Sequence, residues 1–308
     1  MAPLNSAAPT RVQGGASAPS AMAVLALLFN ALTWGVSWWP FRQLQAQGVH
    51  PLWATALCYL LVSVLLALWR PAALLEVLRT PALWVLVFAS GCTNAAFNWG
   101  VTTGDVVRVV LLFYLMPLWT LLLARWLLRE PLHAGVLLRA ALALAGALIV
   151  LWPADGGWPL PQRVSDWLGV IGGVSFALNN VMLRRESSRH ADARALAMFG
   201  GGALIGGAAA LVGAVGGMAA PPWHSALVWG PPLAVLALWF MFSNLALQYG
   251  AARLRASTTS VVMVSEVLFA SASALLLGAA TLSVATIVGG VLIAAAALLA
   301  AWQDGRAT

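Results

Sequence analysis

The amino-acid sequence is dominated by long apolar runs, each interrupted by a short segment that carries charge, proline or polar residues. Charged residues make up only 8% of the 308 positions and hydrophobic residues 62%, whereas a soluble domain has about 25% charged residues. Because a helix needs roughly 20 mostly apolar residues to cross the bilayer core, the runs predict an all-α membrane protein with ten transmembrane helices. The predicted spans are residues 21–41, 50–69, 81–102, 105–125, 134–152, 165–184, 194–217, 227–249, 255–277 and 283–302.

The positively charged residues predict the orientation of these helices. The formal net charge is +7, and all 16 basic residues are arginines. With the N-terminus inside, 12 arginines fall in inner segments, three (Arg42, Arg108 and Arg163) fall in outer segments, and Arg139 lies within the fifth span. Cytoplasmic segments are enriched in Arg and Lys, so we expect both termini to be cytoplasmic. The arginines form no single basic stretch, so the charge indicates topology and not nucleic-acid binding.

The segments outside the spans divide the chain. Residues 1–20 are rich in Ala, Pro, Ser and Gly, a composition that predicts a disordered N-terminal tail. No basic stretch directly precedes the first apolar run, so we expect a retained first helix and not a cleaved signal peptide. We expect two five-helix units, at 21–152 and 165–302, a periplasmic linker at 153–164 between them, and a C-terminal tail at 303–308.

Internal similarity indicates that the two units arose by duplication. Shifting the sequence by 150 positions aligns polar and glycine residues of the third span, Asn94, Asn98, Trp99 and Gly100, with Asn244, Gln248, Tyr249 and Gly250 of the eighth. Five spans per unit is an odd number, so the units have opposite orientations in the membrane. Inverted repeats of this kind are typical of secondary transporters, whose substrate site lies near the midplane between the halves. Chance similarity between apolar helices is the alternative.

Three motifs carry a resemblance to a known family. They are Leu32-Thr33-Trp34-Gly35-Val36-Ser37 in the first span, Leu115-Met116-Pro117 in the fourth, and Leu128-Arg129-Glu130-Pro131-Leu132 after it. With these motifs the chain resembles the ten-helix, EamA-type exporters of the drug/metabolite transporter superfamily. The resemblance implies two inverted five-helix repeats around a central path lined by the first, third, fourth, sixth, eighth and ninth helices.

The second repeat departs from the family pattern. Where the family often has proline in the ninth helix, the chain reads Val264-Ser265-Glu266-Val267, and the usual acidic residue after that helix is replaced within Gly278-Ala279-Ala280. With these departures and its tryptophan content, the chain is most similar to the branch of aromatic amino-acid exporters.

Polar and aromatic residues within the spans are the candidates for a substrate site. Polar side chains in lipid need partners and usually face the bundle interior or a wet cavity, and aromatic rings stack on flat substrates. The candidates are Asn30, Trp34, Ser37, Trp38, Asn94, Asn98, Trp99, Tyr114, Asn179, Trp239, Asn244 and Glu266. Hydrogen bonds that hold helices together, and aromatic packing at the membrane interface, are the alternative roles.

Glu266 and Pro117 have specific predicted roles. Glu266 is the only acidic residue near the middle of a predicted span, where an unpaired carboxylate costs about 3 kcal/mol or more. It is therefore expected to be protonated or hydrogen-bonded, and it either receives a substrate ammonium, exchanges a proton, or is a neutral structural acid. Pro117 removes one backbone hydrogen bond from the fourth helix and is expected to kink it as a hinge.

Together these features predict a secondary transporter of the bacterial inner membrane that exports amino acids, including aromatic ones, and related small metabolites by alternating access. A multidrug or other metabolite exporter, or a facilitative channel of the same fold, is the alternative. An intramembrane enzyme is disfavoured, because no hydrolase, metalloprotease or phosphate-loop motif occurs. We expect no metal or other cofactor, since no histidine pairs with a cysteine at metal-ligand spacing. Proton coupling, and a monomeric or homodimeric state, are left open.

Overall fold

A computed structural model describes residues 18–103, 106–152, 161, 163–224, 226–277 and 284–307, and its regular elements are all helices. In the first half the α-helices are α1 (Ala18–Ala46), α2 (Pro51–Trp69), α3 (Pro71–Arg79), α4 (Pro81–Thr103), α5 (Val106–Phe113), α6 (Met116–Leu123) and α7 (Ala134–Leu151), with a π-helical turn at Ala124–Leu128. In the second half they are α8 (Val164–Arg185), α9 (Ala191–Val215), α10 (Ala226–Arg253), α11 (Ala256–Met263), α12 (Glu266–Leu276) and α13 (Val284–Ala307). The predicted N-terminal tail up to residue 17 and most of the predicted linker lie outside the described residues.

Every predicted span overlaps a helix, and the chain is a multi-pass membrane protein, but length and composition support fewer than ten crossings. Among the described residues, six helices are long and apolar enough to cross a bilayer, and a seventh is added if the bent pair α3–α4, which meets at 99°, counts as one span. Shorter apolar helices occupy Met116–Leu128, Ala134–Ile149 and Ile287–Leu299. The ten-span inverted repeat therefore stays a prediction, since the described helices support six or seven crossings by length and composition.

The predicted fourth and ninth spans are each interrupted near the middle. α5 ends at Phe113 and α6 begins at Met116, while α11 ends at Met263 and α12 begins at Glu266. At both breaks backbone N–H groups reach three residues back instead of four, as in the bonds from Leu118 to Leu115 (3.0 Å) and from Val267 to Val264 (3.1 Å). The bend expected at Pro117 thus takes the form of a break just before it, whereas the break at Val264–Ser265 occurs without a proline.

The helix boundaries repeat with the same offset as the sequence. The ends of α5 and α11, Phe113 and Met263, are separated by 150 positions, as are the starts of α6 and α12, Met116 and Glu266. The packing repeats as well. α4 packs against α8 and α9 as α10 packs against α1 and α2, while α2 contacts α9 and α7 contacts α13.

Paired glycines let the equivalent helices approach closely. A Cβ atom at Gly250 in α10 would lie 2.8 Å from the Ala23 carbonyl oxygen of α1, and one at Gly100 in α4 would lie 3.3 Å from the Ser165 carbonyl oxygen of α8. Small residues at such crossings are the usual way in which membrane helices pack.

Glu130 of the first half forms a hydrogen-bonded contact with the start of α11 in the second half. Arg129 adopts a left-handed conformation with φ 56° after the π-helical turn, and the chain then brings Glu130 to α11. The Glu130 carboxylate accepts hydrogen bonds from the Ala256 backbone N–H at 3.1 Å and from the Ser257 hydroxyl at 3.3 Å. A carboxylate is favourable at a helix N-terminus, where backbone N–H groups lack partners and the helix dipole is positive.

Candidate functional site

A cavity lies where helices of the two halves meet, and this central cavity is the candidate site. The centre of a water molecule can occupy about 60 Å³ of it, which is room for a few water molecules or a small solute. Its lining comes from α1, α2, α4, α5, α8, α9, α10 and α12 and comprises Asn30, Trp34, Tyr59, Ser90, Thr93, Asn94, Phe97, Phe113, Phe176, Asn179, Met198, Phe240, Asn244, Leu247 and Glu266. The lining therefore combines four amide groups, three hydroxyl groups and one carboxyl group with aromatic and other apolar side chains.

Two of the amide side chains are fixed by hydrogen bonds between helices. The Asn30 amide nitrogen donates to the Ser243 hydroxyl at 2.6 Å and to the Ser243 carbonyl at 2.9 Å, joining α1 to α10. Asn94 accepts a hydrogen bond from the Tyr59 hydroxyl at 2.9 Å, and its own amide nitrogen donates to the Ser90 carbonyl at 2.8 Å. These amides hold the cavity wall in place.

Asn179 differs from the other amides. The residue is 1% exposed, and within the described part of the chain neither its amide nitrogen nor its amide oxygen has a hydrogen-bond partner. A buried polar group without a partner costs about 1–3 kcal/mol. Because Asn179 lines the cavity, a polar group bound there would satisfy both atoms.

The carboxyl group of the cavity lies at the two helix breaks. Glu266 is the first residue of α12, Tyr114 lies between α5 and α6, and their side chains are hydrogen-bonded to each other. Behind Glu266, α1 approaches so closely that a Cβ atom at Gly35 would lie 2.9 Å from the Glu266 carbonyl oxygen. The interrupted helices thus place an acidic group and a phenol together beside the cavity.

Aromatic rings line two sides of the cavity. Trp34 of α1 stacks on Phe240 of α10, with ring centroids 4.9 Å apart and an interplanar angle of 16°. Phe113 of α5 stacks on Phe176 of α8, with centroids 5.7 Å apart and an angle of 28°. A flat apolar solute placed between these pairs would contact rings from both halves.

Half of the candidates from the sequence are brought together in this lining. Those six residues are Asn30, Trp34, Asn94, Asn179, Asn244 and Glu266. Tyr114 reaches the cavity through its hydrogen bond to Glu266. The other five candidates, which are not among the lining residues, are Ser37, Trp38, Asn98, Trp99 and Trp239.

Most of those five contribute contacts within or between helices. Trp38 donates its ring N–H to the Ser273 hydroxyl at 2.9 Å, and Asn98 donates to the Thr55 hydroxyl. Ser37 donates to a carbonyl of its own helix, and Trp99 packs partly buried against the apolar core.

The Trp239 side chain lies at the outer surface of the helix bundle and is hydrogen-bonded to a neighbouring helix. Its side chain is 45% exposed, and its ring N–H donates to the Thr33 hydroxyl at 2.9 Å. It therefore joins α10 to α1 at their outer surface.

Sequence reasoning missed several aromatic members of the lining, among them Tyr59, Phe97, Phe113, Phe176 and Phe240. Phe176 could have been predicted, because a shift of 142 positions aligns it with Trp34, which was already a candidate. Among the described residues, no group of three His, Cys, Asp or Glu side chains has the arrangement that a metal ion needs.

Comparisons with known proteins agree with the membrane fold. Residues 21–152 match the profile of the EamA-like transporter family. Twenty-six chains of solved structures match, and one crystal structure superimposes with a TM-score of 0.72 at 20% sequence identity, covering 93% of this chain and 99% of that chain. At that identity the likeness is one of fold alone. No curated protein matches the chain.

Proposed function

We propose that this chain, whose residues 21–152 match the profile of the EamA-like transporter family, is a secondary transporter that exports amino acids across the bacterial inner membrane. Its substrates include aromatic amino acids and related small metabolites, and it works by alternating access between two inverted halves. The observation that carries the proposal is the unpartnered Asn179 amide in a cavity formed by helices of both halves.

The polar groups of the cavity fit a zwitterion. Asn179 offers a donor and an acceptor without partners, and Asn30 offers a further unpartnered amide oxygen, among the described residues. Ammonium and carboxylate groups of an amino acid provide the complementary donor and acceptor. The Glu266 carboxyl group is the natural acceptor for an ammonium, because an intramembrane acid is stabilised by a cationic partner.

The aromatic lining fits an aromatic side chain. The stacked pairs Trp34–Phe240 and Phe113–Phe176 border the same cavity as Asn179. Pairs of aromatic rings gain about 0.5–1.5 kcal/mol beyond the burial of apolar area. A substrate with a phenyl or indole ring therefore gains from the apolar walls while its polar end reaches the amides.

Two features support the inverted arrangement and the alternating-access mechanism. Helix boundaries and helix packing repeat when the halves are exchanged, as expected for inverted repeats with a site at their interface. The cavity of about 60 Å³ is smaller than the roughly 300–1,000 Å³ of sites for larger ligands. A substrate as large as tryptophan therefore binds in a more open state, with the break before Pro117 as the hinge.

The test uses the purified protein in liposomes with radiolabelled phenylalanine, tryptophan and alanine, with and without a pH gradient. We expect saturable flux and counterflow, which a channel does not give. Asn179→Ala is expected to lower kcat/KM for phenylalanine at least tenfold. The matched control is Asn180→Ala, since Asn180 is equally buried and unpartnered among the described residues but is not among the cavity-lining residues.

Equal losses in the two variants would indicate a structural role for both amides and would contradict the site. Wild-type flux of unrelated drugs without any amino-acid flux would contradict the substrate class and favour the multidrug exporter.

A further inference from the structure

A second cavity lies at the end of the molecule that the arginine distribution predicts to face the cytoplasm. The centre of a water molecule can occupy about 530 Å³ of it. It lies between the connection from α8 to α9 and the last turns of α10, and its lining includes Ser187, Ser188, Arg189, Arg194, Gln248 and Arg253. We call it the arginine cavity.

Arg194 is a buried cation without an anionic partner. It is 4% exposed, its guanidinium group donates to the Glu186 backbone carbonyl at 3.0 Å, and the neutral side-chain amide of Gln248 lies 3.3 Å away. Among the described residues, no carboxylate oxygen lies within 4.0 Å of its guanidinium nitrogens. Charged groups that are removed from water are normally paired, so this site lacks a counter-ion.

The surroundings of Arg194 increase its need for an anion. Arg253 is close enough to repel it, and Glu76 attracts it more weakly. The Glu76 carboxylate is already engaged, with oxygens 3.9 Å from Arg189 and 3.0 Å from His190. Arg194 also lies in the first turn of α9, where the helix dipole adds positive potential. The described lining of the arginine cavity contains Arg189, Arg194 and Arg253 and no acidic side chain.

Arg253 lines the same cavity, and its guanidinium group is held against Tyr249. Its guanidinium carbon lies 3.7 Å from the centroid of the Tyr249 ring, and it donates to the Tyr249 carbonyl at 3.1 Å. This stacking orients the group at the exposed edge of the cavity while Arg194 lies deeper. Guanidinium groups recognise carboxylates through paired, charge-assisted hydrogen bonds.

A thin polar partition separates the arginine cavity from the central cavity. Gln248 lines the arginine cavity, and its side-chain amide lies 2.8 Å from the side-chain amide of Asn244. Asn244 lines the central cavity and lies 3.4 Å from the Met198 sulfur, which lines it too. A short row of neutral polar side chains thus connects Arg194 through Gln248 and Asn244 to the central cavity.

We propose that the arginine cavity is the inner capture site for the carboxylate of the transported amino acid. Arg194 and Arg253 bind the carboxylate, and the substrate then passes to the central cavity when the Gln248–Asn244 partition opens. This inference rests on the proposed function, because it assigns a place on that transport path to a separate pair of residues.

The experiment compares phenylalanine with phenylalaninamide, which has the same ring and ammonium group but no carboxylate. Initial rates are measured for the wild type, Arg253→Gln and Arg194→Gln, with substrate presented to the arginine-cavity side of oriented proteoliposomes. Arg253→Gln is the main variant because its side chain is exposed. Arg79→Gln is the charge-matched control, since Arg79 is exposed at the end of α3, at the same predicted face, and does not line the cavity.

We expect Arg253→Gln to raise the KM for phenylalanine at least tenfold with little change in kcat, and to leave phenylalaninamide and the Arg79→Gln control unchanged. Equal effects on both substrates, or none on either, would overturn the capture site while leaving the transporter proposal intact.

A binding measurement separates this failure from failure of the transport proposal. Titration of the detergent-solubilised protein with benzoate should show binding that Arg253→Gln weakens tenfold, with benzamide as the uncharged control. Absence of wild-type phenylalanine flux together with such binding would contradict the transport proposal and leave the carboxylate site. Stabilisation by phosphatidylglycerol that depends on Arg253, with no benzoate binding, would assign the site to lipid phosphate and overturn the inference.

Discussion

The close approach of α1 to α12 at Gly35 allows a sharp test of the site architecture. A Cβ atom at this position would lie 2.6 Å from the Phe269 Cβ atom and 2.8 Å from the Ala270 backbone nitrogen. Carbon atoms in contact prefer separations of about 3.5–4.0 Å, so the two helices would have to separate by about 1 Å. Since α12 begins with Glu266, that movement also shifts the carboxyl group of the cavity.

Gly35→Ala is therefore expected to destabilise the protein by about 1–3 kcal/mol through overpacking. Gly206→Ala is the matched control, because Gly206 is also helical and a Cβ atom there meets nothing within 4 Å. Both substitutions gain the same helix propensity, about 1 kcal/mol, so the difference between them isolates the steric effect.

The assay is thermal unfolding of both variants in the same detergent, followed by phenylalanine transport in liposomes. The midpoint for Gly35→Ala should lie roughly 3–10 °C below that for Gly206→Ala, and its transport rate should fall. Equal unfolding midpoints would show that the α1–α12 contact can accommodate a methyl group without cost. They would refute the argument that this crossing fixes the position of Glu266.

Three further predictions concern single side chains. Glu266→Gln should remove the dependence of transport on the pH gradient while substrate-driven exchange continues, and an unchanged pH dependence would contradict proton exchange at this residue. Trp34→Ala should raise the KM for aromatic substrates about tenfold relative to alanine, whereas Trp239→Ala, at the outer surface, should not; similar effects would argue against stacking in the cavity. Glu130→Gln should lower stability by about 1 kcal/mol through the weakened cap at Ala256, measured as a lower unfolding midpoint, and an unchanged midpoint would show that the cap contributes nothing.

The positions of the helices could be predicted from the sequence because each apolar run is long and bounded by charge, proline or glycine. The break in the ninth predicted span could not, since Val264–Ser265 contains no proline. The short helix α3 was also missed. Its nine residues are too few to show as an apolar run.

The candidate site was only half predictable for a physical reason. Lipid and protein interior are both apolar, so a membrane helix is hydrophobic on every face and its pattern does not reveal which side faces inward. Asn179 and Glu266 were found because polarity alone marks them. Trp239 was a candidate from the sequence but lies at the outer surface, because tryptophan is also frequent on the lipid-facing side of membrane helices. The neighbouring ring of Phe240 lines the cavity instead.

The hydrogen bonds from α11 to the Glu130 carboxylate stabilise one end of the protein through a contact that the sequence does not repeat in the second half. The residue 150 positions later in the sequence is Ala280, whose methyl side chain cannot accept hydrogen bonds. A helix cap of this kind contributes about 1 kcal/mol, which biases a two-state equilibrium by roughly fivefold. In the proposed alternating-access cycle, the substrate-free protein should therefore favour the state in which the Glu130–α11 contact is intact, and substrate binding should supply the energy that breaks this contact.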